Sequence, residues 1–237
     1  MKARMLILPA AAMTALGGCV VTDNGPRETR EHSFSGFDAI VAHSGIDVVL
    51  SQAPDFSVRS EAPEGKLDRI VIEQAGQELK IGMTSGLFWF DAGGRYVVNV
   101  SAPSVSRIDA SGGADITAAA LRAAKLTLAA SGGGDIDLTG AEIGVLEASA
   151  SGGGDIDIAG SCTTATLTAS GGGDIDGEAF DCDTVTATAD GGGDIDVGAR
   201  MSATGKASSG GDVRFLGSPA TFMSDKSSGG DVSVRAR

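Results

Sequence analysis

One phrase is repeated seven times along this 237-residue chain. It begins as Ser111-Gly-Gly-Ala-Asp-Ile. Ser131, Ser151 and Ser170 each then open the run Gly-Gly-Gly-Asp-Ile-Asp, and Asp190 opens the same run. The last copies are Ser209-Gly-Gly-Asp-Val and Ser228-Gly-Gly-Asp-Val. The Asp common to all seven copies falls at Asp115, Asp135, Asp155, Asp174, Asp194, Asp212 and Asp231, a period of 18 to 20 residues. A glycine turn and an alternating segment at a fixed period near 20 mark a solenoid.

Each unit carries two alternating stretches. Asp155-Ile156-Asp157-Ile158 puts Ile inward and Asp outward, and Ala165-Thr166-Leu167-Thr168 puts Ala and Leu inward and Thr outward. The neighbouring units repeat the second stretch as Val145-Leu146-Glu147-Ala148 and Val185-Thr186-Ala187-Thr188. Short strands that pair with their copies in the next unit build an all-β, single-stranded, parallel β-helix-like solenoid with coils of about 20 residues. Parallel connections make it right-handed by preference. The glycines supply positive φ at the corner and let successive backbones approach closely. A helix is excluded, because each internal Gly costs about 1 kcal/mol there. A flexible Gly/Ser linker has no reason to keep Ile or Val in fixed phase. With 8 Phe, 1 Tyr and 1 Trp in the chain, the interior is narrow and aliphatic.

The first 18 residues read as a secretion signal. Lys2 and Arg4 are followed by a short apolar stretch from Met5 to Leu16, too short to span a bilayer. Leu16-Gly17-Gly18-Cys19 is similar to a bacterial lipobox, which makes Cys19 the lipidated N-terminus of the mature chain. Val20 after it, rather than Asp, implies sorting to the outer membrane by the same resemblance. Several acyl chains on one Cys give stable anchoring without a spanning segment. Residues 19–33 read as the lipidated Cys and a solvated tether. The domain then covers 34–237, with a less regular part over 34–104 and regular coils over 105–237.

In that first part, Ser44-Gly45-Ile46-Asp47-Val48 echoes the later phrase. Further strands are expected at Ser57 to Ser60, Ile70 to Glu73, Leu79 to Ile81 and Tyr96 to Ser101, with a hairpin turn at Ala75-Gly76-Gln77. Phe37-Asp38-Ala39-Ile40, Gly45-Ile46-Asp47-Val48, the segment from Val98-Asn99-Val100 to Pro103 and the repeated Ser-Gly-Gly-Gly-Asp-Ile together resemble the head GIN domain. This bacterial family is named by prediction as an auto-transporter adhesin. The resemblance covers about residues 34–237. It implies a β-helix-like domain on a lipoprotein and carries no established biochemical activity.

The formal net charge is −13 and is concentrated. Residues 131–200 hold 14 acidic residues and one basic, Arg200, whereas residues 201–237 hold 3 acidic and 5 basic. An acidic rod is a poor partner for nucleic acid. Residues i and i+2 share a strand face, so Asp135, Asp155, Asp174 and Asp194 form one outward row, and Asp137, Asp157, Asp176 and Asp196 a second. Like charges on adjacent strands repel. Raised pKa values, salt screening or bound cations each relieve this. Oxygen-only ligands favour Ca²⁺, which makes these eight residues candidate Ca²⁺ ligands. The alternative is a solvated acidic face that keeps a β-rich protein soluble, with no cofactor at all.

Cys162 and Cys182 each lie eight residues before the next turn, at equivalent positions on adjacent coils. They are either a disulfide, which an exported protein permits, or a buried thiol pair in an aliphatic row. His32 and His43 are the only histidines, so a His-based triad or zinc site lacks material. A uniform carboxylate ladder also lacks the contrast of environments that an acid–base pair needs. Phe88-Trp89-Phe90, set between glycines, is either an aromatic contact for a glycan or protein or a plug over the solenoid end. The sequence thus points to a non-enzymatic, adhesin-like binding or structural module, lipid-anchored at the outer membrane. The alternatives are a Ca²⁺-binding envelope protein and, less favoured, a carbohydrate-active β-helix enzyme.

Overall fold

The computed structural model describes residues 25–84 and 94–237. The expected secretion signal, Cys19 and Phe88-Trp89-Phe90 lie outside the described residues. In chain order the strands begin with β1 (Arg27–His32), β2 (Ala39–His43), β3 (Asp47–Gln52), β4 (Ser57–Pro63), β5 (Ile70–Ala75), β6 (Glu78–Met83) and β7 (Val97–Ala102). They continue with β8 (Arg107–Ser111), β9 (Asp115–Ala119), β10 (Arg122–Ser131), β11 (Asp135–Ser151), β12 (Ile156–Ser170) and β13 (Ile175–Asp190). The last are β14 (Ile195–Ser208), β15 (Asp212–Leu216), β16 (Thr221–Lys226) and β17 (Asp231–Arg235). The long strands β11 to β14 bend around corners, so each contributes to more than one face of a parallel β-solenoid.

The face that begins after each glycine turn stacks β3, β9, β11, β12, β13, β14, β15 and β17 in parallel. Its register places Val48, Ile116, Ile136, Ile156, Ile175, Ile195, Val213 and Val232 in one row, and every one is buried. The opposite face stacks β2, β8, β10, β11, β12, β13, β14 and β16, with Leu126, Leu146, Ala165, Val185 and Ala203 in one buried row. The period-two alternation in each unit therefore becomes two continuous inward rows. That interior is a single apolar column, as a solenoid requires for stability.

The three glycines of each central turn do different work. Gly132 and Gly133 take positive φ, +60° and +77°, and turn the corner. Gly134 does not, but a Cβ there would lie 2.5 Å from the backbone nitrogen of Ser111 in the preceding coil. The same close approach recurs at Gly154, Gly173, Gly193, Gly211 and Gly230. In the last two turns Ser209 and Ser228 occupy the first glycine's place, with φ of +55° and +50°.

The N-terminal part departs from the sequence reading in two ways. The segment expected to be a tether does not reach residue 33: Arg27–His32 is a strand, β1, paired antiparallel with β4. Nor is the stretch 34–104 merely irregular. The β2–β3 segment is a true coil, pressed between the coil of β8–β9 on one side and β6 and β7 on the other. The spatial order is thus not the chain order. Beyond β7 lie β4 and then β1, and beyond β6 lies β5, all antiparallel, which closes this end of the column. The hairpin expected at Ala75-Gly76-Gln77 is the β5–β6 turn, with Gly76 at φ +63°.

Candidate functional site

The third side of the solenoid is short. Here Ile143, Cys162, Cys182 and Ala199 follow one another in register and are buried. Cys162 and Cys182 are bonded, with Cα atoms 4.5 Å apart. Neighbouring parallel strands bring equivalent positions within disulfide reach, and the exact register of the two cysteines does the rest.

The two Asp rows are not equivalent. In the first, each carboxylate from Asp135 to Asp212 accepts a hydrogen bond from the backbone N–H of the Asp one coil further on, whereas the Asp135 N–H itself donates to the Ala114 carbonyl. Asp135 Oδ1 accepts from Asp155 N at 3.1 Å, and Asp155 Oδ1 from Asp174 N at 3.0 Å. Asp174 Oδ1 accepts from Asp194 N at 2.8 Å, Asp194 Oδ1 from Asp212 N at 2.9 Å, and Asp212 Oδ1 from Asp231 N at 2.8 Å. This row is a hydrogen-bonded ladder. It satisfies main-chain donors just after a turn, where strand pairing has yet to begin, and each oxygen gains a donor that offsets repulsion from its neighbour. Beside shifted pKa values, salt and metal, this is a fourth route by which the repulsion is relieved. A signal was present: the first Asp occurs in all seven copies, whereas the second is replaced by Thr117, Arg214 and Ser233 in three.

The second row has no such donors from the next coil. Asp137, Asp157, Asp176 and Asp196 stand in register on adjacent strands. Asp176 Oδ1 accepts only from its own strand, from Glu178 N at 3.0 Å. Burial, followed by the charges of Asp176, Asp137, Asp155 and Asp135, pushes the Asp157 carboxyl above the ordinary range. Burial also raises Asp196, with Arg214 opposing and Glu178, Asp176 and Asp194 adding to the rise. Asp115, at the start of the first row, is raised by burial and by Asp47 and Asp135. Arg214 Nη1 lies 3.3 Å from Asp196 Oδ2 and closes the row at one end. Among the described residues, Asp137, Asp157 and Asp176 have no basic partner, whereas acidic groups elsewhere on the rod do. Arg122 pairs with Glu142, Lys125 with Glu147, Arg200 with Asp183, and Arg237 with Asp181. Shallow grooves follow the unpaired row, one beside Asp115, Asp135 and Asp155, another beside Thr139, Asp176 and Glu178.

Among the described residues, no group of three or more His, Cys, Asp and Glu side chains converges as metal ligands would. The Ca²⁺ reading of the eight aspartates therefore finds no site. Successive carboxylates stand one strand spacing apart, about 4.8 Å, along a flat face rather than around a centre. In the first row, one oxygen of each is also held by an N–H. The histidines are placed apart. His32 Nε2 meets Ser60 Oγ at 2.9 Å, and its pKa is lowered by burial and by Arg30. His43 Nδ1 meets Ser44 Oγ at 2.9 Å on an exposed turn.

A glycine turn, a buried aliphatic column and an outward carboxylate stripe define a parallel β-solenoid. The chain belongs to the family described as "putative auto-transporter adhesin, head GIN domain", whose model matches residues 36–219. Solved structures share the fold. A putative adhesin from Bacteroides fragilis NCTC 9343 is 20% identical, with a TM-score of 0.79 over 89% of this chain and 97% of that one. A putative adhesin from Parabacteroides merdae ATCC 43184 is 18% identical, with a TM-score of 0.68 over 90% and 97%. A putative lipid binding protein from Parabacteroides distasonis ATCC 8503 is 18% identical, with a TM-score of 0.61 over 90% and 98%. No curated protein matches the chain. Among the described residues, no helix is long and apolar enough to cross a membrane.

Proposed function

We propose that this chain is a non-enzymatic, adhesin-like binding module, held on the outer membrane by lipid on Cys19, and that its contact surface is the second acidic row. The observation that carries the reading is the contrast between the two rows. The first is committed to the fold, whereas among the described residues the Asp137 and Asp157 side chains make no hydrogen bond or ion pair, and Asp176 only accepts from Glu178 N of its own strand. Mutual repulsion on adjacent strands is a cost, which favours a use for the charge outside the chain. The partner is a protein or glycan surface that offers cationic or hydrogen-bond-donating groups at the strand spacing.

Protease treatment of intact cells tests the placement. Digestion of the solenoid without lysis is the expected result, and complete protection overturns the adhesin reading. Metabolic labelling with palmitate tests the anchor separately: label is expected on the parent chain and lost from Cys19→Ser.

A further inference from the structure

The two ends of the column are finished differently. At the N-terminal end the antiparallel strands β1, β4 and β5 cover it, and the outermost strand reads Arg27-Glu28-Thr29-Arg30-Glu31-His32. A charged edge of this kind resists further pairing. At the other end, among the described residues, β16 pairs only with β14 and β17 only with β15.

Of the six large apolar side chains exposed among the described residues, four gather at this second end, while Val49 and Val145 lie elsewhere on the rod. Met201, Phe222, Met223 and Val234 are 59%, 43%, 55% and 39% exposed. Phe222 and Val234 belong to inward rows. Phe222 follows the buried Ala203 and meets Phe215 edge to face at 6.1 Å, and Val234 follows the buried Phe215. Among the described residues, no coil stacks upon them. A solenoid end in this condition needs a cover.

The last strand is complementary to itself. It reads Asp231-Val232-Ser233-Val234-Arg235. Turned antiparallel about a two-fold axis at Ser233, it sets Asp231 opposite Arg235 of the second copy and Val232 opposite Val234. The hydrogen-bond phase agrees. The Arg235 carbonyl accepts from Gly217 N at 2.9 Å, so residues 231, 233 and 235 turn their main-chain groups toward β15. Val232 and Val234 therefore turn theirs outward, and the same axis makes them hydrogen-bonded pairs with the second copy. Arg235 forms no ion pair among the described residues, and Asp231 is held by Lys226 Nζ at 2.6 Å. This end is also the part of the chain where basic residues outnumber acidic ones, so two copies meet here without the repulsion of their acidic flanks.

We infer that the C-terminal face binds a second copy of this chain, closed about a two-fold axis by antiparallel pairing of β17 with β17. Such an interface uses one patch on both copies and stops at the dimer. It also places the Phe222 and Val234 rows of the two columns end to end.

A cysteine at the axis reads this geometry directly. Ser233 would sit in a non-hydrogen-bonded pair with its own copy, at a Cα separation of about 4.5 Å, which suits a disulfide. The full chain in mild detergent carrying Ser233→Cys is expected to form a covalent dimer under gentle oxidation, seen on a non-reducing gel. The parent chain and the exposed-face control Ser149→Cys are expected not to. Cross-linking of Ser233→Cys no faster than Ser149→Cys overturns the proposal.

A second pair of variants keeps the test independent of folding. Asp231→Lys and Arg235→Glu each place two like-charge contacts across the axis, and each alone is expected to raise the dimer dissociation constant by about fivefold or more. An equimolar mixture restores both opposite-charge contacts and is expected to recover the dimer. A mixture that stays as weak as its components contradicts this register, and oligomers larger than the dimer contradict the closed interface.

Discussion

Removing one rung of the first Asp row separates its structural role from its charge. Asp174 Oδ1 accepts the Asp194 N–H at 2.8 Å, while the N–H of Asp174 itself donates to Asp155. Asp174→Ala leaves the Asp194 N–H without its charged acceptor. A hydrogen bond to a charged group contributes about 1.5–3 kcal/mol net, and water at this exposed edge recovers part of that. Repulsion relieved against Asp155 and Asp194 returns roughly 0.2–1 kcal/mol for each neighbour. The balance is a loss of about 1 kcal/mol. Asp174→Asn keeps an acceptor oxygen and loses only the charge assistance, about half the bond. Relief of repulsion offsets that, so the change is about zero. Asp157→Asn, in the second row, loses no acceptor and sheds a charge that burial and four neighbouring aspartates disfavour, so it stabilises by up to about 1 kcal/mol. Urea midpoints at pH 7 rank the three as Asp157→Asn above parent, Asp174→Asn near parent and Asp174→Ala below. If Asp174→Asn proved as damaging as Asp174→Ala, or Asp157→Asn as damaging as either, the distinction between the rows would be refuted.

Three further outcomes are expected. Gly173→Ala forces a Cβ to 2.5 Å from Ser151 N and 2.7 Å from the Gly154 carbonyl, with backbone on both sides, and costs about 2 kcal/mol or more by overpacking; Gly25→Ala, with nothing within 4 Å, serves as the neutral control in the same denaturation series. Replacing both Cys162 and Cys182 with Ala opens a loop of 20 residues and lowers stability by about 3 kcal/mol, read by calorimetry as a lower midpoint. Stability also rises as pH falls from neutral: the Asp115, Asp157 and Asp196 carboxyls are raised in the folded state, so their charged forms cost stability that returns as each is protonated, above the ordinary aspartate value of about 4. Below that value the trend reverses, because Asp190, held low by Ser209 and Ser208, and Asp231, held low by Lys226, lose their contribution as they are protonated. A midpoint that falls steadily from pH 7 to pH 4 would contradict this sign.

The coil was legible because its parts repeat in phase. Ile136, Ile156, Ile175 and Ile195 each follow a glycine turn by the same distance, and a period of two leaves them one face to occupy. The register of Cys162 with Cys182 followed from the same count. The N-terminal cap was not legible. Nothing local in Asp47–Gln52 states that it will lie between β7 and β9, because that order depends on strands 45 or more residues away. The strand Arg27–His32 was hidden by its composition: alternating Arg and Glu on an outer edge looks like solvated chain, and its partner β4 is distant in sequence. The Asp ladder was missed for a different reason. Side-chain periodicity identifies the face on which a carboxylate stands but says nothing of which backbone N–H lacks a strand partner.

Backbone and side-chain resonances recorded through a pH titration test the central claim, that one Asp row builds the coil and the other is left for contact. The amide protons of Asp155, Asp174, Asp194, Asp212 and Asp231 are expected to shift with the titration of the carboxylate one coil before them, and the Asp157 and Asp196 carboxyls to titrate above the ordinary aspartate range. Amide protons in the first row that ignore the preceding carboxylate would contradict it.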